Sequence, residues 1–282
     1  MTKLRFSKMH GLGNDFMVVD LVTQSLELNA QDIRRWSDRR TGVGFDQLLA
    51  VLPPSDPGAD FRYRIFNRDG TEAEQCGNGA RCFARFVRDH GLTVKHCLTL
   101  ETSNGMIRTR LLEGDRVEVE MGSPGLAPAE VPFLAEFAKP VGDGLRHRLS
   151  TADADVVLAP VSIGNPHAVI EVDDIVSAPV KRLGTAVQSS PAFPEGVNVG
   201  FLQVVQGDFA RLRVYERGAG ETRACGSGAC AAMVAGRLRG LLDGEATVSL
   251  RGGEVSLRWP GEGEPVTMTG PTAQIYDGQI RS

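Results

Sequence analysis

The chain has 282 residues, which at about 150 residues per domain indicates two domains rather than one small core. Hydrophobic residues amount to 41% and charged residues to 23%, a globular balance that excludes a disordered chain. A net charge of −4 excludes the basic footprint of a nucleic-acid-binding protein, and no apolar run approaches the roughly 20 residues that a membrane helix needs.

Strands and two helices are predicted along the chain. Runs rich in aliphatic, aromatic and β-branched residues predict strands at 61–66, 98–102, 107–112, 117–121, 156–163, 212–215, 247–250 and 255–259. Two apolar runs, 80–90 and 229–242, each follow a glycine-rich segment and predict helices that stop at Gly91 and Gly244. This order favours an α/β protein of the mixed α+β kind, in which strands and helices do not alternate regularly. In such a fold we expect a curled mixed sheet around a central helix.

The two halves of the chain share an ordered set of sequence markers. The markers are placed relative to Cys76 in the first half and Cys225 in the second. An asparagine lies 62 or 60 residues before the cysteine (Asn14, Asn165), and a polar residue lies nine residues before it (Asn67, Glu216). A Met-x-x-Pro segment begins 45 or 43 residues after the cysteine (121–124, 268–271). Four markers in one order at nearly constant offsets indicate a duplication. We therefore expect two pseudo-symmetric domains, residues 1–124 and 125–271, with residues 272–282 returning to the first.

The number and spacing of the cysteines argue against a disulfide framework and a zinc site. Their number is five, and the N-terminus lacks the apolar core of a secretory signal, so we expect a cytoplasmic protein without a disulfide framework. The close pairs, Cys76 with Cys82 and Cys225 with Cys230, have neither the short spacing nor the histidines of a zinc site. We expect neither a metal nor another cofactor.

Both Cys-Gly-x-Gly segments place a thiol at the predicted start of a helix. The free N–H groups and the positive end of the helix dipole stabilise an anion there, which favours a thiolate and can hold a carboxylate. A single apolar cysteine is more often inert, and we assign Cys82, Cys97 and Cys230 to the core. The basic pairs 34–35 and 39–40 indicate a solvated helix face.

The duplication favours a functional role for Cys76 and Cys225, since packing alone gives no reason for the same motif at both helix starts. Two thiols suit inversion of a stereocentre: one thiolate removes a proton from one face, and the other thiol returns a proton to the opposite face. Such chemistry needs no redox cofactor, provided that nearby donors stabilise the carbanion.

At this point the sequence resembles the diaminopimelate epimerase family over essentially its whole length. The motifs that carry the resemblance are His10-Gly-Leu-Gly-Asn-Asp-Phe16, Gly42-Val-Gly-Phe-Asp-Gln47, Asn67-Arg-Asp-Gly70, Cys76-Gly-Asn-Gly-Ala-Arg-Cys82, Gly164-Asn-Pro-His167, Gly196-Val-Asn198, Glu216-Arg-Gly218 and Ala224-Cys-Gly-Ser-Gly228. The resemblance implies two pseudo-symmetric domains with the active site in the cleft. It also implies an epimerase that interconverts LL- and meso-diaminopimelate without a cofactor, in the synthesis of lysine and peptidoglycan precursors.

The resemblance also implies roles for individual residues. Cys76 and Cys225 match the catalytic pair, and His167 and Glu216 match residues that tune the thiols. The substrate-binding positions are matched by Asn14, Gln47, Asn67, Gly77, Asn78, Asn165, Asn198, Glu216, Arg217, Gly226 and Ser227. Amides and one forked guanidinium suit a substrate with two amino-acid ends.

Two other functions remain open from the sequence. A proline or hydroxyproline racemase also uses paired cysteines, although the amides and Arg217 fit a substrate with a second charged end better. A non-catalytic anion-binding protein would use the glycine-rich helix starts, yet it has no need of two equivalent cysteines.

The C-terminal segment 274–278 mixes Ile275 and Tyr276 with polar residues, a composition typical of an interface strand or a docked terminus. Tyr276 matches a tyrosine that lies at the dimer contact in the family. We therefore expect a homodimer, with no nucleic-acid or membrane partner.

Overall fold

The structure, a computed structural model, describes residues 3–73, 76–142, 144–151 and 153–281. The chain divides into two compact units, residues 1–120 with 269–282, and residues 121–268. In the described ranges, no helix combines the length and the apolar character that crossing a membrane would require.

The first unit holds most of its strands before residue 121. Its elements are β1 (Lys3–Gly11), β2 (Asn14–Asp20), α1 (Ala30–Ser37), β3 (Gln47–Leu52), β4 (Phe61–Asn67), β5 (Glu72–Ala73), α2 (Gly77–Asp89), β6 (Cys97–Thr102), β7 (Gly105–Leu111) and β8 (Arg116–Glu120). A last strand, which we label β19 (Ala273–Arg281), pairs antiparallel with β1.

The second unit begins with two 3-10 turns, Pro128–Glu130 and Ala135–Phe137. Its regular elements are β9 (Ala138–Val141), β10 (Arg146–Ser150), β11 (Asp155–Ser162), β12 (Pro166–Glu171), α3 (Val180–Gln188), β13 (Asn198–Gln206), β14 (Phe209–Glu216), β15 (Gly220–Glu221), α4 (Gly226–Leu238), β16 (Glu245–Leu250) and β17 (Gly253–Arg258). Strand β18 (Thr267–Pro271) carries the chain back to the first unit.

The strands of the two units pair in the same way. In the first unit β1 and β2 form a hairpin, β2 runs parallel to β3, β3 antiparallel to β4, and β4 parallel to β6. In the second unit the same relations join β11, β12, β13, β14 and β16. Each unit is thus a mixed sheet with a repeated topology, which confirms the predicted fold class.

A buried helix lies at the centre of each unit. Helix α2 packs against β1 to β4, β7 and β8, and α4 packs against β11 to β14, β16 and β17. The residues of α4 from Ala229 to Val234 are fully buried, because the helix is apolar on every side. The core of the first unit includes Trp36 and Phe45, and that of the second includes Phe133 and Phe201.

Three expectations about local structure were wrong. Helix α4 ends at Leu238, four residues before its predicted end, and the glycine beyond it in the left-handed conformation is Gly240 (φ 68°) rather than Gly244. Cys97 is exposed, because Leu98 is its neighbour in β6 and alternate residues of a strand face opposite sides. Arg39 does not belong to a solvated helix face, because it lies beyond the end of α1. Its guanidinium forms ion pairs with Asp15 and Asp46.

Candidate active site

The two cysteines occupy the same structural position in their units. Cys76 and Cys225 are the N-cap residues of α2 and α4, each with extended backbone before the first helical turn. The Cys76 Sγ accepts a hydrogen bond from the Gly79 N–H at 3.4 Å. The first N–H groups of an α-helix have no partner within the helix, so Gly77, Asn78 and their counterparts can donate to an anion.

Asn14 lies beside the first thiol. It begins β2 directly after the two-residue turn Leu12–Gly13, where both residues have positive φ (57° and 82°), as a tight hairpin requires. Its Oδ1 accepts from the Cys76 Sγ at 3.7 Å and from the Asn78 Nδ2 at 3.3 Å, while its Nδ2 donates to Asp46 at 3.2 Å. These contacts use both ends of the Asn14 amide and fix its orientation.

An ion-pair cluster adjoins Asn14, because it includes Asp46, the acceptor of the Asn14 amide. The Asp15 carboxylate receives two hydrogen bonds from Arg39, at 2.7 and 2.9 Å, and one from Lys8. Arg39 also donates to Asp46 at 2.7 Å. Burial would raise the pKa of Asp15, but the hydrogen bonds and charges of Arg39 and Lys8 outweigh it and hold the pKa well below its ordinary value. The cluster joins β2 to the loop that precedes β3.

Gln47 and Asn67 form a second pair of amides in the first unit. They are direct partners in the antiparallel pairing of β3 and β4, and the Gln47 Nε2 donates to the Asn67 Oδ1 at 3.1 Å. Asn67 in turn donates to the Thr71 hydroxyl at 3.2 Å. Both amides are half-buried at the ends of their strands, so they combine a fixed geometry with access to solvent.

The second thiol has a different environment. Cys225 is buried, its Sγ lies 3.7 Å from the Ser227 Oγ, and the Glu216 carboxylate is close enough to affect it. Burial raises the pKa of the Cys225 thiol most, and the Glu216 charge raises it further. Hydrogen bonds from Gly228 and Ser227 act in the opposite direction but do not outweigh burial. The environment therefore favours the protonated thiol.

Asn165 and His167 contact each other near the hairpin between β11 and β12. The His167 Nε2 lies 2.9 Å from the Asn165 Oδ1. His167 is buried, and burial, helped by the charge of Arg217, lowers the pKa of its imidazole to about 3. The ring is therefore neutral near pH 7, and its Nε2–H donates to Asn165.

Asn198 and Arg217 form the remaining group. The buried Asn198 amide donates to the Pro166 carbonyl at 3.3 Å and accepts from the Arg217 backbone N–H at 2.9 Å. Asn198 thus holds the backbone of Arg217, whose exposed guanidinium donates to the Glu195 carbonyl at 2.6 Å. A guanidinium at the surface is available for a carboxylate.

Sequence reasoning missed several residues that surround Cys76 and Asn14 in the first unit. Tyr63 is buried, and its hydroxyl donates to the Cys76 carbonyl at 3.3 Å. Arg81 is buried and contacts Asn78, and Asp46 orients Asn14. Arg81 had a signal, since it lies within the Cys-Gly-x-Gly-Ala-Arg-Cys segment directly before apolar helical residues, whereas Tyr63 and Asp46 depend on tertiary contacts alone.

The chemistry available is that of acids, bases and hydrogen-bond donors. Across the described ranges, no cluster of three or more His, Cys, Asp or Glu side chains is arranged to hold a metal ion. The polar groups described above are thiols, amides, carboxylates, an imidazole, a guanidinium and the backbone N–H groups of two helix starts. Such a set can bind an amino acid by its charged ends and move protons.

The fold of this chain is shared with a solved epimerase. A solved hydroxyproline epimerase from Agrobacterium vitis aligns over 99% of this chain and 92% of its own, with a TM-score of 0.71. The sequence identity is 16%, so this likeness is one of fold. The chain therefore shares the fold of that hydroxyproline epimerase.

The family follows from sequence comparison. The profile of the diaminopimelate epimerase family matches residues 6–127 and 160–275. The diaminopimelate epimerases of Ectopseudomonas mendocina and Stutzerimonas stutzeri are 56% and 54% identical to this chain over 278 residues, which cover 99% of this chain and of each relative. The chain belongs to the diaminopimelate epimerase family.

Proposed function

We propose that this protein interconverts LL- and meso-diaminopimelate without a cofactor, in the synthesis of lysine and peptidoglycan precursors. One observation carries the proposal: two units with the same strand pairing each place a cysteine at the N-cap of their central helix. Family membership selects diaminopimelate as the substrate.

In this proposal Cys76 and Cys225 are the two bases. One thiolate removes the α-proton of the substrate, and the other thiol gives a proton to the opposite face of the carbanion. The N–H groups at the starts of α2 and α4 hold the reacting carboxylate and stabilise the developing charge. Its contacts would include Gly77, Asn78, Gly226 and Ser227.

The other polar residues serve recognition and tuning. The amides and the guanidinium bind the two amino-acid ends of the substrate: Asn14, Gln47, Asn67, Asn165, Asn198 and Arg217. Glu216 binds the substrate and keeps Cys225 protonated, an interpretation that the raised pKa of this thiol supports. His167 acts as a neutral hydrogen-bond donor that orients Asn165.

We further propose that the protein acts in the cytoplasm as a homodimer whose contact includes Tyr276. The side chains of Ile275 and Tyr276 are 55% and 45% exposed, an unusual exposure for neighbouring large apolar residues. An exposed aromatic side chain beside an aliphatic one suits the centre of a protein interface.

The two-base proposal is tested by replacing each thiol. In Cys76→Ala and Cys225→Ala, we expect epimerisation of LL-diaminopimelate to fall about 100-fold or more, because each variant lacks one proton-transfer group. The conversion is followed by chiral chromatography, and melting temperatures close to wild type verify folding. Cys97→Ala is the matched control, since Cys97 is exposed and outside the proposed site.

The same assay separates the alternatives. The wild-type protein in deuterium oxide should incorporate deuterium at the α-carbon of diaminopimelate and leave proline unchanged. Turnover of proline alone would indicate a racemase of different specificity, and the absence of exchange with either substrate would indicate a binding protein. A single-cysteine variant with near wild-type turnover contradicts the two-base mechanism.

A further inference from the structure

Arg81 is a buried charged residue next to the first half of the site. It lies in the first turns of α2, five residues after Cys76, and its exposed fraction is 0%. Its neighbours in the helix, from Cys82 to Ala84, are equally buried and apolar. Burying a charged guanidinium costs free energy, because the group loses its hydration. Hydrogen bonds from the guanidinium to other buried groups must therefore offset that cost.

The Arg81 guanidinium begins a chain of hydrogen bonds that reaches the thiol. Its Nη2 donates to the Asn78 Oδ1 at 2.9 Å, and the Asn78 Nδ2 donates to the Asn14 Oδ1 at 3.3 Å. The same Asn14 oxygen accepts from the Cys76 Sγ at 3.7 Å. Because an amide has one accepting and one donating end, the arginine determines which end of Asn78 faces Asn14.

The guanidinium also lies close to the hairpin that carries Asn14. A Cβ at Gly11 would lie 3.2 Å from the Arg81 Nη2, closer than ordinary van der Waals contact. Gly11 pairs with Asn14 across the turn between β1 and β2. Arg81 therefore contacts the helix start through Asn78 and lies close to the hairpin that carries Asn14.

The second unit has no counterpart to this arrangement. The offset of 149 residues between Cys76 and Cys225 aligns Arg81 with Cys230 and Asn78 with Ser227. The Ser227 hydroxyl lies 3.7 Å from the Cys225 Sγ, so the serine contacts its thiol directly. An arginine therefore stands at this position beside the first cysteine motif and a cysteine beside the second.

We propose that Arg81 is a positioning residue for Cys76, which orients Asn78 and Asn14 around the thiol and adds a buried positive charge to this half of the site. The inference rests on the proposed function, in which Cys76 is one of the two bases. Arg81 acts through the two asparagines rather than by touching the substrate. A nearby cation favours the thiolate over the thiol.

The test compares Arg81→Met, Arg81→Lys and the control Arg85→Met in a Cys97→Ser background. Arg85 lies one turn further along α2, and its side chain is only 17% exposed. Two quantities are measured: kcat and KM for diaminopimelate, and the pH dependence of iodoacetamide alkylation at Cys76, resolved by peptide mass spectrometry. Alkylation of Cys225 in the same samples is an internal reference.

We expect Arg81→Met to lower kcat about 10- to 100-fold, as misplaced reacting groups do, with a smaller change in KM. The alkylation midpoint of Cys76 should move to higher pH while that of Cys225 stays unchanged. Arg81→Lys keeps the positive charge but loses the planar guanidinium. The pH midpoint of Cys76 alkylation in this variant should therefore return toward the wild-type value, while kcat stays reduced. Arg85→Met should match the background protein in both measurements.

A wild-type kcat or a wild-type alkylation profile for Cys76 in folded Arg81→Met overturns the inference. If Arg81→Met does not fold, Arg81→Lys and Gly11→Ala decide, since an alanine at Gly11 displaces the guanidinium without removing it. Failure of the proposed function can be distinguished from failure of this inference. A wild-type protein that does not epimerise diaminopimelate refutes the proposed function, whereas the alkylation of Cys76 still tests the effect of Arg81 on that thiol.

Discussion

The two thiols differ in the groups to which they are linked. Cys225 lies near the Glu216 carboxylate, whereas Cys76 is linked through Asn14 and Asn78 to the Arg81 guanidinium. A negative charge near a thiol raises its pKa, and a positive one lowers it. The two copies of the cysteine motif thus differ in the residues around them.

At this scale we predict opposite effects for two substitutions near Cys225. Glu216→Gln removes the negative charge, so the pKa of Cys225 should fall and its alkylation by a small thiol reagent should begin at lower pH. Ser227→Ala removes a hydrogen bond that favours the thiolate, so the alkylation midpoint should move to higher pH. Peptide mass spectrometry across a pH series measures both.

Cys82 is the internal control for this experiment. It is fully buried, and burial raises its pKa to about 12, so it should stay unmodified below pH 9 in all variants. Equal shifts at Cys76 and Cys225 in Glu216→Gln would contradict a local charge effect. Shifts in the same direction for the two variants would do so as well.

At the scale of elements, ion pairs join β2 to the loop before β3. Asp15 is the centre of this cluster, with Arg39 and Lys8 as partners. The carboxylate is 17% exposed, and its folded-state pKa is depressed. A group with a depressed folded pKa contributes stability above its unfolded pKa of about 4, and this contribution is lost as the pH falls toward the folded value.

We predict that Asp15→Asn lowers the free energy of unfolding by about 2 kcal/mol at pH 7, because two cations lose a charged hydrogen-bond acceptor. The difference from wild type should begin to shrink below about pH 5, where Asp15 becomes protonated in the unfolded chain, and should keep shrinking as the pH falls toward the lower folded-state pKa. Urea denaturation at several pH values measures both effects.

Glu118→Gln is the matched control for that experiment. Glu118 receives two hydrogen bonds from Arg110 at 2.9 and 3.0 Å, but the arginine is 54% exposed. Surface pairs of this kind contribute about 1 kcal/mol or less. A loss in Asp15→Asn no larger than that in Glu118→Gln, or one independent of pH, would count against the role of the cluster.

At the scale of the whole molecule, the last strand exposes apolar side chains. Tyr276 pairs with Lys8 of β1 and packs its ring edge-on against Phe6, with centroids 6.1 Å apart. The register shifts between Lys8 and Met9, which leaves Ile275 as an extra residue in β19. A bulged strand with two exposed apolar residues is suited to a contact with a second copy of the chain.

We predict that Tyr276→Asp raises the dissociation constant of the proposed homodimer at least about tenfold, since an unpaired charge would be buried at the contact. Activity should fall at concentrations where the variant is monomeric. Light scattering and activity measured over the same dilution series test this. Val94→Asp is the control, because Val94 is 82% exposed and isolated, and it should leave the mass unchanged. A wild-type monomer, or a fully active monomeric variant, would refute the prediction.

The sequence by itself determined the repeated architecture and the residue types of the site. The repeated Cys-Gly-x-Gly motif predicted both central helices, and the thiols are their N-caps, as expected. This part was accessible because helix starts and apolar runs depend on neighbouring residues in the chain. The family also followed from the order of short motifs along the chain.

Only the tertiary structure decided what surrounds each thiol. The contact of Asn14 with Cys76 joins residues 62 positions apart, and the Asp15–Arg39 pair joins two segments 24 positions apart. The end of α4 at Leu238 depends on how Leu242 packs against Gly236. Such features depend on the pairing of distant strands and on burial, which set both the geometry and the dielectric around a charge. For that reason the sequence predicted two equivalent cysteines, and the fold gave them different surroundings, since Cys225 is buried and Cys76 is partly exposed.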